Sequence, residues 1–353
     1  MAGPRQTRKV TLRDVASRAG VSISTASLVF SGRGPVAAAT ADRVRDAASD
    51  LGYAGPDPLA SSLRQGRAGA VAVIVEERLR DAFRDPFALA VLDGLAQELD
   101  AMGTSMLLVA DHGEASGNPV AGHAIDAAVF ALCGRSASPL VDHLLARGVP
   151  IIGSGAPIHP AVSQVVVDEH GASAEATRHL LDLGHRRLAH VTMPLGSARP
   201  TSPVRPDELE RAVYPDARER ACGFVDTAPP GSLLVEAERP DVAQGEAAGR
   251  LLLDVPVAQR PTGIVAQSDL LAAGVVRAAE SLGLRVPQDV SVTGFDAVDL
   301  PWLDRTLTTI VQPGEAKGRL LGELTRRRLA GEPPASEPFA VSLRVGDTTS
   351  GPG

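Results

Sequence analysis

Residues 11–53 read TLRDVASRAGVSISTASLVFSGRGPVAAATADRVRDAASDLGY and set the organisation of the start of the chain. Thr11 can cap a first helix, because Asp14 three residues later completes the pattern of a capping box. Gly20 then falls where that helix must end in a left-handed residue. Ser22 can cap a second helix directly afterwards. The stretch therefore predicts two short helices joined by a tight turn.

A third helix, predicted over residues 38–51, would close a small core against the first two. The apolar residues that recur at helical spacing are Leu12, Val15, Ala16, Ala19, Ala26, Val29, Phe30, Val44, Ala47, Ala48 and Leu51. Two helices with a short glycine-containing turn and a third helix as buttress form a helix-turn-helix. Spacing alone leaves open another kind of small three-helix bundle.

The residue pattern is more specific than the spacing. Residues 10–27, VTLRDVASRAGVSISTAS, resemble the start of the DNA-binding domain of the lactose-repressor (LacI/GalR) family, which reads V-T-L-x-D-V-A-x-x-A-G-V-S-x-x-T-x-S. Leu51, Gly52 and Tyr53 match the end of that family's third helix. The resemblance implies that the second helix enters the major groove of DNA.

The same resemblance implies that Ile23, Ser24 and Leu28 face base edges. Two of these three are aliphatic, so they offer contacts to thymine methyl groups instead of the bidentate contact of Arg to guanine. Thr25 and Ser27 have short hydroxyls suited to phosphate contacts. Helix capping and core packing remain the alternative roles for both. The other residues expected at the DNA interface are Thr11, Ser22 and Arg33.

Residues 57–69 are predicted to form a hinge helix and linker. Leu59, Ala60 and Leu63 share one helical face and match part of the family's hinge pattern. Because so short a helix is unstable alone, it is expected to form only on DNA, paired with the same helix of a second protomer. The resemblance also implies that Leu63 is an apolar wedge that kinks the duplex from the minor groove. Packing between two hinge helices is the alternative role for Leu63.

From residue 69 onward, strands alternate with helices. Apolar runs predict strands over 70–75, 105–109, 127–132, 149–153, 163–167, 187–193, 232–236, 262–266, 289–294 and 339–345. Helices are predicted over 87–102, 139–147, 171–183, 217–226, 241–254, 269–282 and 314–330. Continuous apolar strands that alternate with helices indicate doubly wound parallel sheets, and two such sets indicate two lobes.

The predicted fold class is therefore α/β, with a helix-turn-helix head ahead of a two-lobed core. The predicted parts are a DNA-binding domain (1–56), the hinge (57–69), an effector-binding core (70–349) and a tail (350–353). The core consists of lobe 1 (70–167 and 313–332) and lobe 2 (168–312 and 338–346). Motifs such as Gly294-Phe295-Asp296 extend the family resemblance to this core, which implies a periplasmic-binding-protein-like fold. Residues 110–124 and 195–216 are predicted to be mobile loops, and whether the second covers the cleft stays open.

In two-lobed binding proteins the ligand lies between the lobes, at the carboxyl ends of the strands. The candidate effector-binding residues are Phe87, Arg218, Arg220, Asp269, Asp296 and Trp302. Carboxylate and guanidinium groups bind hydroxyls through charge-assisted hydrogen bonds, so the set predicts a sugar or polyol. Helix capping is the alternative role for Asp269, and core packing is the alternative for Trp302.

Charge is unevenly distributed along the chain. Residues 1–68 hold ten Lys and Arg against five Asp, a balance of +5, whereas the remainder holds 25 basic and 37 acidic residues, a balance of -12. A basic head on an acidic body indicates that the head meets a polyanion. No apolar run reaches the length of a membrane span, and the N-terminus lacks a signal peptide's apolar stretch. A cytoplasmic protein without a membrane partner is therefore expected.

Together these features predict a transcriptional regulator, expected to be a repressor, that binds a pseudo-palindromic DNA operator as a homodimer. An effector would change operator affinity through linkage between the two sites. A homodimer is expected instead of a tetramer, because residues 346–353 contain no leucine heptad.

Two rival functions are disfavoured. An exported solute receptor would not need the DNA-binding head. A dinucleotide-binding enzyme would need a glycine-rich turn after the first strand, where AVAVIVEERLRD has none. No cofactor or metal is predicted, because Cys133 and Cys222 lack metal-type spacing and adjacent residues such as Asp168, Glu169 and His170 rarely converge.

Overall fold

The computed structural model describes residues 10–31, 34–55, 67–76, 79–111, 117–132, 134–196 and 199–353. The chain divides into two compact units, Met1–Ala68 and Gly69–Gly353. Within the described part of the chain, no helix is both long enough and apolar enough to cross a membrane.

The first unit is a three-helix domain. Its helices are α1 (Leu12–Ala19), α2 (Ile23–Ser31) and α3 (Ala38–Leu51). The predicted capping box is present, because the Thr11 hydroxyl accepts the N–H of Asp14 while the Asp14 carboxylate accepts the N–H of Thr11. Gly20 ends α1 in the left-handed region with φ 65°, which glycine adopts without the steric cost of a Cβ. The three helices bury a core of Val15, Ala16, Ala26, Val44, Ala47 and Ala48.

The second unit contains thirteen strands and eight α-helices in its described residues. In chain order these are β1 (Ala70–Val75), α4 (Leu79–Ala82), α5 (Pro86–Ala101), β2 (Ser105–Ala110), β3 (Ala127–Phe130), α6 (Pro139–Ala146), β4 (Ile151–Ser154), β5 (Val162–Val166), α7 (Glu169–Asp182), β6 (Leu188–Thr192), β7 (Ser202–Val204), α8 (Pro215–Thr227), β8 (Leu233–Glu236), α9 (Val242–Leu253), β9 (Gly263–Ala266), α10 (Asp269–Ser281), β10 (Ser291–Asp296), β11 (Thr308–Val311), α11 (Gly314–Leu329), β12 (Ser336–Pro338) and β13 (Ser342–Arg344). A 3₁₀ helix, Pro206–Arg211, lies between β7 and α8.

Lobe 1 is built on a parallel sheet with the strand order β12-β5-β4-β3-β1-β2. Alternate residues of β1 serve opposite faces of this sheet. Val71 and Val73 pack in a cluster with apolar residues of α5 and α11, whereas Ala72 and Ile74 pack in a second cluster with residues of α6. Helices on both faces explain why the strands are continuously apolar.

Lobe 2 is built on a seven-stranded sheet with the order β13-β11-β10-β9-β6-β8-β7. Its five central strands are parallel, and the edge strands β13 and β7 are antiparallel to their neighbours. The chain passes between the two sheets after β5, after β11 and after β12. The predicted doubly wound α/β architecture is confirmed.

Three strands were missing from the prediction. The edge strands β7 and β12 each have three residues, and each contains a proline, which sheets tolerate at edges. Neither therefore has the apolar run on which the prediction depends. Strand β11 opens with two threonines, Thr308 and Thr309, and only its second half is aliphatic. The other predicted strands and the seven predicted helices of the core are present, with ends shifted by at most three residues. Residues 57–66 of the predicted hinge lie outside the described residues, so the hinge helix stays a prediction.

The prediction of a mobile loop over residues 195–216 is wrong for the part that the structure describes. Residues 202–204 form β7, which pairs with β8, and the 3₁₀ helix follows. Val204 and Leu209 are buried in the core of lobe 2. These two apolar side chains anchor the segment and explain why it is ordered.

Ser350, the first residue of the predicted tail, hydrogen-bonds to lobe 2. Its N–H donates to the Ser291 hydroxyl at 3.0 Å, and its carbonyl lies 2.8 Å from Nε2 of buried His185. One residue earlier, the Thr349 hydroxyl lies 2.9 Å from Nε2 of His179. The end of the chain therefore closes hydrogen bonds at the base of lobe 2.

Deleting residues 350–353 should destabilise lobe 2, because it leaves two buried polar groups with fewer partners. A loss of ~1–3 kcal/mol is expected, which corresponds to a melting temperature lower by several degrees. The control deletes only residues 351–353, which are exposed, and should melt close to wild type. Equal melting temperatures for the two deletions would show that Ser350 does not stabilise the lobe.

Candidate DNA interface and effector cleft

Helix α2 presents an uncharged face in the three-helix unit. Ile23 and Leu28 are 46% and 37% exposed, which is high for large apolar side chains. Ser22 caps the helix, because its hydroxyl accepts the Thr25 N–H at 3.0 Å. The same hydroxyl lies 2.7 Å from that of exposed Ser24. The face therefore offers aliphatic and hydroxyl groups, as the sequence indicated.

The remaining predicted DNA contacts divide into two groups. The Thr11 hydroxyl takes part in the capping box of α1. Ser27 is half-buried on α2. The other predicted contacts lie outside the described residues, and their roles stay predictions. They are Arg33, Leu59, Ala60 and Leu63.

Arg220 is the centre of the charged site in lobe 2. It lies on α8 and is only 3% exposed. Its Nε donates to Glu169 at 2.6 Å, and its Nη1 donates to the Gln267 carbonyl at 2.7 Å. Its guanidinium carbon sits 3.6 Å from the centroid of the Phe295 ring, a cation–π contact. The residue is thus fixed by groups from α7, β9 and β10 or their ends.

A buried polar network around Gln267 and His190 lies next to Arg220. The Gln267 side chain accepts the Met193 N–H at 3.0 Å and donates to the Ala217 carbonyl at 2.8 Å. Its Nε2 also lies 2.9 Å from Nε2 of His190. His190 is fully buried and stacks on Phe224, with ring centroids 4.8 Å apart. Burial, reinforced by the Arg220 charge, lowers the pKa of His190 to about 3.

Asp296 ends β10 in an unusual backbone conformation. Its φ is 105° and that of Ala297 is 58°, in a region that side chains other than glycine rarely adopt. Asp269 holds this turn, because its carboxylate accepts the Thr309 hydroxyl at 2.6 Å and the Val298 N–H at 2.9 Å. Asp269 is only 1% exposed. The structure therefore favours a positioning role for Asp269 over direct contact with a ligand.

The charges around Arg220 influence one another. Burial opposes the guanidinium charge, but the carboxylates of Glu169, Asp296 and Asp216 outweigh it and raise the pKa of Arg220. Burial raises the pKa of Asp296 well above its usual range. Arg220 opposes that rise, while the charges of Asp269 and Asp85 add to it. Burial also raises the pKa of Asp269 to about 7.

Lobe 1 contributes acidic groups at the carboxyl end of β1. Glu76 is 8% exposed, and its carboxylate accepts the Arg135 N–H at 2.8 Å. Burial raises the pKa of Glu76 to about 7. Asp85 caps α5 by accepting the N–H of Phe87 at 2.9 Å. Because the charge of Asp85 affects Asp296, groups of both lobes share one electrostatic environment.

The lobes also meet in a hydrogen-bonded chain of backbone groups. The Ser136 N–H of lobe 1 donates to the Val213 carbonyl of lobe 2 at 2.8 Å. Val213 in turn donates to the Leu195 carbonyl at 2.7 Å, and the Ser136 carbonyl accepts the Ile158 N–H at 2.8 Å. Val213, in the segment between β7 and α8, therefore contacts lobe 1.

Two predicted effector residues lie away from this centre. Arg218 points outward from α8, with a side chain that is 44% exposed and paired with Glu219 at 2.8 Å. Trp302 is 46% exposed and covers the guanidinium of Arg277, 4.4 Å from its ring centroid. Arg277 lies two turns into α10, so the Trp302 ring packs along the side of that helix. Neither arrangement supports a role for Arg218 or Trp302 in binding the effector.

Sequence reasoning missed several polar groups that surround Arg220 and Asp296 or lie near the end of β1 in lobe 1. They are Glu76, Asp85, Glu169, Asp216, Gln267 and Gln312. Three of them, Glu76, Glu169 and Gln267, follow the carboxyl end of a predicted strand, which was the available signal. The sequence does not say which of these polar residues turn inward. Among the described residues, no group of three or more His, Cys, Asp and Glu side chains could hold a metal ion.

A basic helix-turn-helix unit followed by two doubly wound lobes with charged groups at their strand ends defines a class of ligand-regulated DNA-binding proteins. Residues 11–55 match the family model for bacterial regulatory proteins of the lacI family, and residues 177–349 match that of a periplasmic-binding-protein-like domain. A helix-turn-helix-type transcriptional regulator of Mycolicibacterium smegmatis is 34% identical over 99% of this chain and 98% of its own. The chain belongs to the LacI family of transcriptional regulators.

Solved structures agree with this assignment. The complex of transcriptional regulator CelR with cellobiose has a TM-score of 0.67 and 28% identity, covering 96% of this chain and 99% of its own. A lac repressor dimer bound to operator and the anti-inducer ONPF has a TM-score of 0.75 at 23% identity, covering 97% and 100%. The lac repressor structure shows that the two chains share a fold.

The neutral, buried state of His190 predicts a pH-dependent stability. Below the ordinary histidine pKa of about 6.5, the unfolded chain binds a proton that the folded chain excludes until about pH 3. The group therefore lowers the free energy of unfolding by up to ~1.4 kcal/mol per pH unit as the pH falls. Urea unfolding of His190→Gln should show a smaller loss of stability than wild type between pH 6.5 and 5.

The slope of the unfolding free energy against pH is compared between variants, because Glu76 and Asp269 also contribute to it. Their pKa values are raised, so they stabilise the folded protein as the pH falls over this range. His143→Gln is the matched control, since His143 is exposed, and its slope should equal that of wild type. Parallel slopes for His190→Gln and wild type would contradict the assignment.

Proposed function

We propose that this protein is a repressor that binds a pseudo-palindromic operator as a homodimer in the cytoplasm. A sugar or polyol bound between the lobes would control its affinity for the operator. The observation that carries the proposal is the pair of Arg220 and Asp296. Arg220 is buried on α8 with its guanidinium over the ring of Phe295, and Asp296 is the next residue, at the end of β10. The cellobiose complex of CelR supports a sugar as the ligand class.

The proposed mechanism is thermodynamic linkage. A ligand that hydrogen-bonds to groups of both lobes favours one relative arrangement of the lobes over another. If the operator favours a different arrangement, ligand and operator change each other's affinity by the same factor. The proposal includes no catalytic step, and the charged groups serve to bind and orient the ligand.

Operator binding should depend steeply on salt. Each phosphate that the protein neutralises adds a slope of roughly -0.9 to the plot of log affinity against log salt concentration. Gel shifts with the protein's own promoter region should show this slope for the full chain. Salt-independent binding would count against a phosphate-contacting head.

The same assay can test helix α2. Leu28→Asp should abolish binding, because it places a negative charge on the face that is expected to meet DNA. Val257→Asp is the matched control, since Val257 is an exposed valine of the other unit. The control should bind like wild type. Equal loss in both variants would show that the effect is not specific to α2.

Arg220→Ala should lose effector binding, because it removes charged hydrogen bonds worth ~1.5–3 kcal/mol each. Asp296→Asn should weaken binding in the same direction. A sugar panel would be screened by thermal shift, since a ligand that binds the folded state stabilises it. Hits would then be tested for operator release.

Arg218→Ala is the matched control on the same helix, because the Arg218 side chain is exposed and paired with Glu219. It should respond to the effector like wild type. A normal response in Arg220→Ala and Asp296→Asn would place the ligand elsewhere.

A further inference from the structure

The chain crosses between the lobes along one edge of both sheets. Strands β12 and β5 form one end of the lobe 1 sheet, and β13 and β11 form one end of the lobe 2 sheet. The three crossings leave β5, β11 and β12, and each spans only two or three residues. Because such short connections keep these ends together, any rotation of one lobe against the other has its hinge at this edge.

A hydrogen-bonded contact between the lobes lies in the other half of both sheets. The N–H and the hydroxyl of Ser136 in lobe 1 both donate to the Val213 carbonyl of lobe 2, at 2.8 and 3.2 Å. Ser136 follows β3, and Val213 is bound to Leu195, which follows β6. Both strands lie away from the hinge ends of their sheets. A rotation about the hinge therefore separates Ser136 from Val213.

The lobe 1 half of this contact is built around the Glu76 carboxylate. Glu76 follows β1 and is 8% exposed. Its Oε2 accepts the N–H of Arg135 at 2.8 Å and lies 3.8 Å from Nε of the same residue. Gly134 lies against the other oxygen, where an added Cβ would be 3.3 Å from Oε1. The carboxylate thus fixes the two residues that come directly before Ser136.

The lobe 2 half is anchored in a similar way by Glu236. This residue ends β8 and is 2% exposed. Its carboxylate accepts the Leu195 N–H at 2.9 Å and lies 3.1 Å from Nε of Arg199. The Leu195 carbonyl then accepts the Val213 N–H at 2.7 Å. Each lobe therefore holds its own part of the contact through a buried carboxylate, independently of the other lobe.

The contact between these two supports is open to water. Val213 is 38% exposed, and Ile158, whose N–H donates to the Ser136 carbonyl, is 65% exposed. Because water can replace the lost partner there, breaking the contact changes an equilibrium constant by roughly two- to ten-fold, as for one ordinary hydrogen bond. A contact of that strength can be made and broken reversibly.

We propose that the Ser136–Val213 contact is a latch that holds the lobes together when no ligand is bound, and that Glu76 positions its lobe 1 half. The latch goes beyond the proposed function, because it acts between the lobes without an effector and without DNA. It sets the balance between lobe arrangements on which any ligand then acts.

Distances between spin labels measure this balance in the full-length protein. The labels are placed at Ser105→Cys and Leu233→Cys, which are exposed positions at the starts of β2 and β8. The background carries Cys133→Ser and Cys222→Ser, so that only the two introduced thiols react. Without ligand, this background should show one dominant distance between the lobes.

Glu76→Leu removes the acceptor that holds Arg135 and should move roughly two- to ten-fold more of the population to longer distances. Ser136→Ala removes one of the two donors and should shift the distances in the same direction by less. Glu76→Gln keeps an oxygen that can accept the Arg135 N–H, so it should lie between Glu76→Leu and the background. Glu98→Leu is the matched control, because Glu98 lies on α5 against Gly322 of α11, and it should leave the distances unchanged.

Melting temperatures of the same variants separate the latch from a role in folding alone. Unchanged distances in Glu76→Leu and Ser136→Ala would overturn the proposal even if Glu76→Leu melts earlier, because Glu76 would then only stabilise lobe 1. A broad or long distance in the unliganded background would overturn it as well. If Glu76→Leu does not fold, Glu76→Gln and Ser136→Ala decide. The test needs neither sugar nor operator, so the latch can fail while the proposed function stands, and the reverse.

Discussion

The buried guanidinium of Arg220 is the constraint on which the effector cleft depends. A charge removed from water is unfavourable unless it is paired and hydrogen-bonded. Here Glu169, the Gln267 carbonyl and the face of Phe295 supply those partners. Because the three belong to different elements of lobe 2, their need to converge on one charge fixes the ends of those elements. The groups that the proposed function assigns to ligand binding are thereby held in place by the fold of lobe 2.

A second set of buried contacts keeps the strained end of β10 in position. Residues in the left-handed region cost about 1–3 kcal/mol each and persist only where the surroundings enforce them. Asp269 does this for the turn after Asp296, by accepting hydrogen bonds from Thr309 and Val298. The strain and its support both lie within lobe 2. Its folding thus positions Asp296 independently of lobe 1.

Regulation by a ligand needs contacts that differ between arrangements of the lobes. The Ser136–Val213 hydrogen bond and the shared field of Asp85 and Asp296 join the lobes across the cleft. Under the proposed function, a ligand bound between the lobes would act by changing contacts of this kind, which is the requirement for linkage.

The sequence by itself determined the head and the alternation of strands and helices, because capping, turn and apolar patterns are local and the family motifs are specific. Only the tertiary structure decided which polar residues face inward. It placed Arg218 and Trp302 outside the centre, made Asp269 a support, and brought in Glu76 and Asp216. The direction of a side chain at the end of a strand depends on neighbours distant in the chain. No local pattern contains that information.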